Sequence, residues 1–322
     1  MKEEIGGYFE LELSKAEPFW PLLGQSIHLN SGRHALEYIL RSLKKVDCVY
    51  LPFYTCDSVF EPFKRLAIPF KFYHVNDKLE IAEEINLGVN DYIIINNYFG
   101  VKDSYVNTMF SKYGNHMILD ATQSLYFRPK LGLKAFYSPR KFVGVPDGGF
   151  AVTTSAVDFE IPQGYSYDKC DSLLKRLDKN ASLGYSDFKS ASQNISQENM
   201  SSMSKLTSAL IQSIDFDFIG IKRRTNFDIL HSALSSTNQL QLPFSETLSC
   251  PMVYPYRTEG ETLRKRLIEN KVFVATYWPN VVESKMLNPV EAKLATEIIP
   301  LPIDQRYGEV EMNKIIEIIT TH

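Results

Sequence analysis

The stretch HMILDATQSLYFRPKLGLKAFYSPRKFVGVPDGGFAV (116–152) does most to decide the fold of this chain and the place of its chemistry. It opens with a short apolar run that ends in Asp120, a pattern typical of a buried strand with an acid at its carboxyl end. Further on, Lys141 stands in a turn before Gly148 and Gly149. The run GGFAVTTS (148–155) is typical of a strand that returns from this turn. The stretch therefore predicts a lysine turn close to the strand end that carries Asp120.

Before this stretch, short apolar runs alternate with helical patterns. This alternation predicts a mostly parallel sheet with crossover helices. In such sheets ligands bind beyond the carboxyl ends of the strands, where Asp120 and the turn before Lys141 are expected. The predicted strands are CVYLP (48–52), FKFYHV (70–75), DYIIINNYF (91–99) and HMILDA (116–121), and the predicted helices are GRHALEYILRSLKK (32–45), DSVFEPFKRLA (57–67) and SYVNTMFSKYG (104–114).

The second half of the chain changes in composition. Residues 178–205 are rich in Ser and Asn with little apolar periodicity, which predicts a surface excursion. Helical spacing resumes at KLTSALIQSI (205–214) and at IKRRTNFDILHSALSS (221–236).

The lysine and the acid are the pair that a pyridoxal phosphate (PLP) site requires. The lysine amine bonds to the aldehyde of the cofactor, and the acid pairs with the pyridinium nitrogen so that the ring accepts electrons. We expect Lys141 to be buried beside Arg140, which would favour its neutral amine. Ser31-Gly32-Arg33 opens a predicted helix, and a helix N-terminus of this kind binds phosphate.

Each of these residues also has a plainer interpretation. Lys141 is equally compatible with a surface lysine in a basic loop, and Asp120 or Ser31 with an ordinary helix cap. A dinucleotide-binding fold is not indicated, because no GxGxxG follows any predicted strand.

Taken together, the three motifs resemble the DegT/StrS family of sugar-nucleotide aminotransferases. The family's Gly-Glu-Gly-Gly-like step after the lysine appears as Asp147-Gly148-Gly149, with Asp in place of Glu. Its acid motif Asp-Ala-Ala-Gln appears as Asp120-Ala121-Thr122-Gln123. Its phosphate turn appears as Ser31-Gly32-Arg33-His34-Ala35-Leu36. The resemblance implies an α/β PLP-dependent transferase fold of type I, with a large PLP-binding domain (1–215) and a small C-terminal α+β domain (216–322).

The resemblance also implies roles for single residues. Gln123 matches the residue that hydrogen-bonds near the phenolic oxygen of PLP, and Tyr54 matches, with one gap, the aromatic residue that stacks on the ring. Asn97 falls where the family often has a His near the substrate.

Two phosphate anchors of the family are missing. The serine expected five residues before the lysine is Phe136, and Ser138, three before the lysine, is the residue that we expect to substitute for it. The Asn-Tyr-Arg-Met string, whose Asn reaches the phosphate of the neighbouring subunit, falls on Met200-Ser201-Ser202-Met203, with Asn199 one position off. We therefore expect weaker binding of the cofactor than in relatives with both anchors.

The implied activity is an aminotransferase that moves an amino group, with glutamate as the expected donor, to a nucleotide-linked keto-sugar in amino-sugar or surface polysaccharide biosynthesis. A homodimer is expected, because the family's active site lies between two subunits. Two alternatives stay open: a non-catalytic homologue that acts as a binding or regulatory module, and a PLP-dependent sugar dehydratase. Members of the dehydratase branch typically have His at the lysine position, so Lys141 favours transfer.

Composition narrows the remaining classes. A net charge of −3 over 322 residues gives no basic field that would attract nucleic acid. The start MKEEIGGYFELEL is acidic where a signal peptide is basic and then apolar, and no run is long enough for a membrane span. We therefore expect a cytoplasmic protein. The scattered histidines and the four cysteines show no metal-ligand spacing, and no metal is expected.

Overall fold

The computed structural model describes residues 8–19, 26–240, 248–284 and 288–321. Within them, seven strands form one sheet in the order β1-β7-β6-β5-β4-β2-β3. The strands are β1 (Ser26–Leu29), β2 (Cys48–Pro52), β3 (Phe70–Tyr73), β4 (Asp91–Asn96), β5 (Met117–Asp120), β6 (Lys134–Tyr137) and β7 (Gly149–Val152).

The sheet is mostly parallel, as the sequence predicts. Five neighbouring strands are parallel to one another: β3, β2, β4, β5 and β6. β7 pairs antiparallel with both β6 and β1. Ile93, Ile94 and Ile95 of β4 are all buried, as expected for a central strand covered on both faces. β1 and β6 are not among the predicted strands, because each has only four residues and mixes polar with apolar side chains.

Helices cover the sheet and begin where the sequence provides caps. Ser31 caps the first of them, and Ala35, Leu36 and Ile39 of that helix pack on the sheet with Leu29 and Val49. In the first two thirds of the chain the helices are α1 (Gly32–Ser42), α2 (Phe60–Leu66), α3 (Asp103–Tyr113), α4 (Asp171–Asp178), α5 (Tyr185–Gln197), α6 (Lys205–Gln212) and α7 (Phe216–Leu234).

The predicted surface excursion contains more structure than its composition indicates. α5 lies inside residues 178–205, and Ile195 is its only buried residue. A helix that buries so little leaves almost no apolar periodicity in the sequence, so its pattern does not predict a helix.

The C-terminal part forms a small α+β layer beside the sheet. Its antiparallel strands are β8 (Val253–Arg257) and β9 (Ile298–Pro302), and its helices are α8 (Thr262–Glu269), α9 (Pro279–Val282), α10 (Pro289–Glu297) and α11 (Glu309–Thr320). α7 begins at Phe216 and packs on α11 and β8, while the buried core continues from the large sheet into this layer. The division at residue 215 stays a prediction.

No helix in the described part of the chain combines the length and the apolar character that crossing a membrane requires.

The Gly-Gly step has a specific structural cause. Gly148 has a φ of +121°, and its N–H donates to the Asn30 carbonyl at 2.9 Å. At Gly149 the backbone passes so close to the turn before α1 that a Cβ atom would lie 2.2 Å from the carbonyl oxygen of Ser31. Glycine at this position therefore allows the strand that follows the lysine turn to pack directly on the turn that carries Ser31.

We predict that Gly149→Ala lowers the free energy of unfolding by about 1–3 kcal/mol or more, because a Cβ at 2.2 Å from a carbonyl oxygen forces the backbone to move. Urea denaturation measures the change. Gly144→Ala is the matched control, since its Cβ would meet Leu173 at an ordinary 3.7 Å. Equal stability of the two variants would contradict this account of the close approach.

Candidate active site

Three segments that are distant in sequence meet at the carboxyl edge of the sheet. A Cβ atom on Gly32 would lie 3.2 Å from Cβ of Ser138 and 3.5 Å from Cγ2 of Thr122. The start of α1, the end of β6 and the turn after β5 are therefore in direct contact. These are the three segments that the sequence motifs single out.

Lys141 faces this junction. Its Nζ donates a hydrogen bond to Oγ1 of Thr122 at 2.9 Å, and its side chain is exposed. The expectation that Lys141 is buried is therefore wrong for the protein on its own. The turn around it is short, because the Lys141 N–H donates to the Ser138 carbonyl at 3.4 Å. An exposed amine on a fixed turn is accessible to a ligand that enters from solvent.

Asp120 lies at the end of β5 and is 6% exposed. Its Oδ1 accepts a hydrogen bond from the N–H of Thr122 at 2.9 Å. Burial raises the pKa of this carboxyl, and the positive charge of Lys141 and the bonds from Thr122 oppose the rise. The acid and the lysine are therefore electrostatically coupled, and Thr122 binds both of them.

Gln123 is buried near Asp120 and Thr122, and only one of the two polar atoms of its amide has a hydrogen-bond partner among the described residues. Its Oε1 accepts from the Phe99 N–H at 2.7 Å. Its Nε2 is buried and has no hydrogen-bond partner among the described residues. A buried donor without a partner destabilises a protein by roughly 1–3 kcal/mol unless a ligand or a water accepts from it.

The turn Ser31-Gly32-Arg33 opens α1, but its side chains are already engaged. Oγ of Ser31 accepts from the His34 N–H at 3.2 Å as the helix cap, and Nη1 of Arg33 donates to both Glu61 oxygens at 2.8 and 3.1 Å. The first N–H groups of a helix have no partner within it. The backbone of Gly32 and Arg33, rather than the guanidinium, is what this turn offers to an anion.

Two residues singled out by the sequence have side chains that are buried in the core. Tyr54 is fully buried with its ring against Tyr98 and Trp278, and its hydroxyl has no hydrogen-bond partner among the described residues. The backbone N–H of Asn97 donates to the Asp120 carbonyl at 3.0 Å, but its side chain is 1% exposed and engaged: Nδ2 donates to Asp103 at 2.7 Å, and Oδ1 accepts from the Lys102 N–H at 2.9 Å. In this structure neither side chain is accessible to a substrate.

Three other residues approach the site without having been singled out. Thr122 binds both Asp120 and Lys141. Burial raises the pKa of the Cys56 thiol and the charge of Lys141 opposes the rise, so these two side chains are close. Tyr277 interacts with Cys56 and packs its ring on Phe99 at 5.9 Å between centroids. Position 122 within the acid motif was visible in the sequence, whereas nothing local indicates that residue 277 returns to this edge.

The two missing phosphate anchors have structural explanations. Phe136 is 2% exposed and packs with the buried face of α1, so this position belongs to the core. Met200 and Met203 are also buried, and the segment between them pairs with β1 through Leu29 and Ser202. Ser138 is half-buried against Gly32, at the position where a substitute would be needed.

Solved structures with the same fold include sugar aminotransferases. Helicobacter pylori PseC, an aminotransferase of pseudoaminic acid biosynthesis, is 14% identical with a TM-score of 0.63, covering 92% of this chain and 86% of its own. A DegT DnrJ EryC1 StrS aminotransferase from Brucella abortus is 17% identical with a TM-score of 0.61, and the match covers 92% of this chain and 85% of that protein. Bacillus subtilis ntda with bound cofactor PMP is 17% identical with a TM-score of 0.60, and the match covers 91% of this chain and 72% of that protein.

This chain has the aminotransferase fold. The type I fold that the sequence predicts is therefore confirmed, with its mostly parallel sheet and its small C-terminal layer. No protein-family model and no curated protein matches the sequence. At identities of 14% and 17% the likeness concerns the fold, and the activity has to be argued from the residues of the site.

In the part of the chain that the structure describes, His, Cys, Asp and Glu side chains form no group of three that would hold a metal ion.

Behind the turn at Ser31, a buried histidine fixes the geometry. Nε2 of His34 accepts from Nη1 of Arg65 at 3.2 Å, so we assign the ring proton to Nδ1, which donates to Oδ1 of Asn30 at 2.6 Å. The amide of Asn30 is thereby oriented, and its Nδ2 donates to the Asn199 carbonyl at 3.2 Å. Burial, followed by the charges of Arg65 and Arg33, lowers the pKa of His34 from 6.5 to about 4.

We predict that stability falls as the pH is lowered from 6.5 to about 4, because the unfolded chain protonates His34 in this window and the folded protein does not. The His34 contribution to this loss is about 3 kcal/mol. Denaturant unfolding of the wild type and His34→Gln over this range isolates it, with His116→Gln as control. An unchanged pH slope in His34→Gln would contradict the assignment.

Proposed function

We propose that this protein is a PLP-dependent aminotransferase that moves an amino group from glutamate to a nucleotide-linked keto-sugar. The observation that carries the proposal is the link from Lys141 through Thr122 to Asp120: Nζ to Oγ1 at 2.9 Å and Thr122 N–H to Oδ1 at 2.9 Å. An exposed lysine and a buried acid thus stand side by side at the ligand-binding edge of the sheet.

The residues present fit PLP. The exposed amine of Lys141 is free to bond to an aldehyde, and the unpaired Nε2 of Gln123 is a buried donor that needs an acceptor. The junction of Gly32 and Ser138, together with the N–H groups at the start of α1, suits a phosphate. The fold also supports the cofactor, because the Bacillus subtilis relative holds PMP, the amine form of PLP.

When bound, PLP supplies an electron-accepting ring that stabilises negative charge on the amino-group carbon of the substrate. The chain's own residues do the rest. Asp120, buried and held by the N–H of Thr122, would offer a carboxylate oxygen to a protonated ring nitrogen. Lys141, on its short turn, is positioned to take and return the proton at the substrate carbon, and the hydroxyl of Thr122 holds its Nζ meanwhile.

The substrate class rests on the relatives. Helicobacter pylori PseC is an aminotransferase of pseudoaminic acid biosynthesis, and the structure from Streptoalloteichus hindustanus with the same fold is an aminotransferase. Glutamate as donor and a nucleotide as the carrier of the keto-sugar are part of the proposal.

A second candidate is a non-catalytic module that keeps this fold. One observation favours it: Phe136 and Met200 place buried apolar side chains at positions where relatives are expected to anchor the phosphate. A dehydratase is less supported, because Lys141 is retained. Colour distinguishes the aminotransferase from the non-catalytic module, since a protein that holds PLP on Lys141 absorbs visible light and a module without PLP does not.

We further propose a homodimer. The segment between β7 and α6 presents large apolar side chains that are each more than half exposed in the single chain. Such a patch favours burial against another surface, and a second copy of the chain is the partner that the fold suggests. Sedimentation analysis tests it. These side chains are Tyr165, Tyr167, Leu174, Leu177, Tyr185 and Phe188.

We predict that Lys141→Ala removes both the visible absorbance given by added PLP and transamination, because no other exposed amine stands beside Thr122 and Asp120 in the described structure. Borohydride reduction followed by peptide mapping locates the modified lysine in the wild type. Lys130→Ala, which removes an exposed lysine outside the site, is the matched control and should behave as the wild type. A pyridoxyl group on a different lysine would refute the assignment.

We predict that Asp120→Asn still binds PLP but slows the half-reaction with glutamate by roughly 100-fold or more, the scale on which positioned acid and base groups contribute. An amide of the same shape keeps the bond from Thr122 but carries no charge to hold the ring nitrogen protonated. Single-turnover spectroscopy measures the rate. An unchanged half-reaction would show that the acid partner lies elsewhere.

A further inference from the structure

Behind the lysine turn, a buried arginine of α7 binds the residue that follows Lys141. The side chain of Arg223 is 2% exposed. Its Nη2 donates to the Phe142 carbonyl at 3.2 Å, and its Cζ lies 4.7 Å from the centre of the Phe142 ring. Arg223 therefore contacts both the backbone and the ring of the residue next to the lysine.

A second donor reaches the same carbonyl from the C-terminal layer. Nε2 of Gln305, in the segment after β9, donates to the Phe142 carbonyl at 2.9 Å. Phe142 also ends the lysine turn, because its N–H donates to the Pro139 carbonyl at 2.8 Å. Two side chains from outside the large sheet thus hold the residue at which this turn ends.

The other end of the guanidinium leads to Gln123. Nη1 of Arg223 donates to the Met252 carbonyl at 2.9 Å. The Met252 N–H donates to the Phe99 carbonyl at 2.8 Å, and the Phe99 N–H donates to Oε1 of Gln123 at 2.7 Å. A continuous series of hydrogen bonds therefore runs from the lysine turn through Arg223 to the amide of Gln123.

The segment in the middle of this series has little freedom to move. Phe99 has a φ of +57°, a left-handed conformation that a residue with a side chain keeps only where surrounding contacts fix it. At Gly100, with a φ of +72°, a Cβ atom would lie 2.8 Å from the Gln123 carbonyl oxygen. A displacement of Met252 would therefore also displace Gln123.

A guanidinium at this depth destabilises a protein unless its donors and its charge are matched. Burial lowers the pKa of Arg223, and Cys250 and Asp304 oppose the fall. Asp304 is already paired with Arg306 at 2.6 Å, and Nε of Arg223 has no hydrogen-bond partner among the described residues. An apolar side chain would avoid this cost but would leave the two carbonyls unconnected.

We propose that Arg223 is a positioning residue that fixes the turn of Lys141 and the amide of Gln123 relative to each other. The inference rests on the proposed function, in which Lys141 bonds to the PLP aldehyde and Gln123 binds the same cofactor. A displacement of a reacting group by about 1 Å slows a reaction by roughly 100-fold. An arginine outside the site thereby sets the rate at which the lysine reacts.

The first experiment measures hydrogen exchange of backbone amides without the cofactor. Arg223→Lys keeps the charge but lacks the planar guanidinium that bonds to both carbonyls. Exchange should rise by about 10-fold in the peptides that contain Phe142 and Phe99 and stay unchanged in β2. Arg224→Lys changes an exposed neighbour on the same helix and should exchange as the wild type. A rise in one of the two peptides alone, in neither of them, or equally in β2 would overturn the inference.

The second experiment measures how fast added PLP gives visible absorbance. Arg223→Lys should slow this reaction by about 10- to 100-fold. Gln305→Met removes one of the two donors to the Phe142 carbonyl and should slow it by a smaller factor. Leu234→Ala truncates a fully buried residue at the end of the same helix. It is the control for a loss of stability alone and should react at the wild-type rate.

The remaining outcomes separate positioning from a structural role. Equal slowing in Leu234→Ala and Arg223→Lys, or a wild-type rate in Arg223→Lys, would overturn the inference. If Arg223→Lys does not fold, Gln305→Met decides: faster exchange at Phe142 together with slower gain of absorbance supports positioning, and unchanged values overturn it.

The failure of this inference is distinguishable from that of the proposed function. No visible absorbance of the wild type with PLP, together with faster exchange at both Phe142 and Phe99 in Arg223→Lys, would refute the proposed function and leave the link between the two segments standing. Visible absorbance that appears equally fast in the wild type and in Arg223→Lys would support PLP binding and overturn the role of Arg223.

Discussion

The close backbone contact between Gly149 and Ser31 is the constraint on which the site depends. Without a side chain at Gly149, β7 packs against the turn that opens α1, and Gly148 bonds to the Asn30 carbonyl. This contact sets how far the helix N-terminus stands from the turn of Ser138 and Lys141. A functional site built from three distant segments needs such a fixed backbone junction, because side-chain bonds alone would leave each segment free to shift.

The electrostatic interaction between Asp120 and Lys141 is the second feature that defines the site. Asp120 loses solvation by burial, and Lys141 remains exposed on the same edge, with Thr122 bonded to both. The acid is buried while the amine is accessible. Burial disfavours the charged carboxylate, and the charge of Lys141 and the bonds from Thr122 offset part of that cost. The plain interpretations, a surface lysine and a capping acid, are compatible with the exposure of Lys141 and with the bond from the Thr122 N–H to Asp120, so the assignment of function rests on the occurrence of both at one edge of the sheet.

The fold was largely predictable because its central strands are apolar runs between helical patterns. β2, β4 and β5 lie where their patterns indicate, and Ser31 caps α1 as its side chain suggests. Side-chain engagement was not predictable. Tyr54 and Asn97 occupy motif-like positions yet point into the core, and Arg33 is neutralised by Glu61, 28 residues away. Residues such as Glu61 and Tyr277 approach the site only through tertiary packing, which local spacing does not encode.

One departure from the motif pattern follows from a packing choice. Phe136 fills the space under α1, so this position belongs to the core. A core phenylalanine stabilises the contact between β6 and α1 by roughly 1.5–3 kcal/mol, more than one neutral hydrogen bond provides. Polar contacts begin two residues later, where Ser138 lies against Gly32 and Lys141 bonds to Thr122. Apolar packing and polar contacts are thus divided between neighbouring positions of a single strand and its turn.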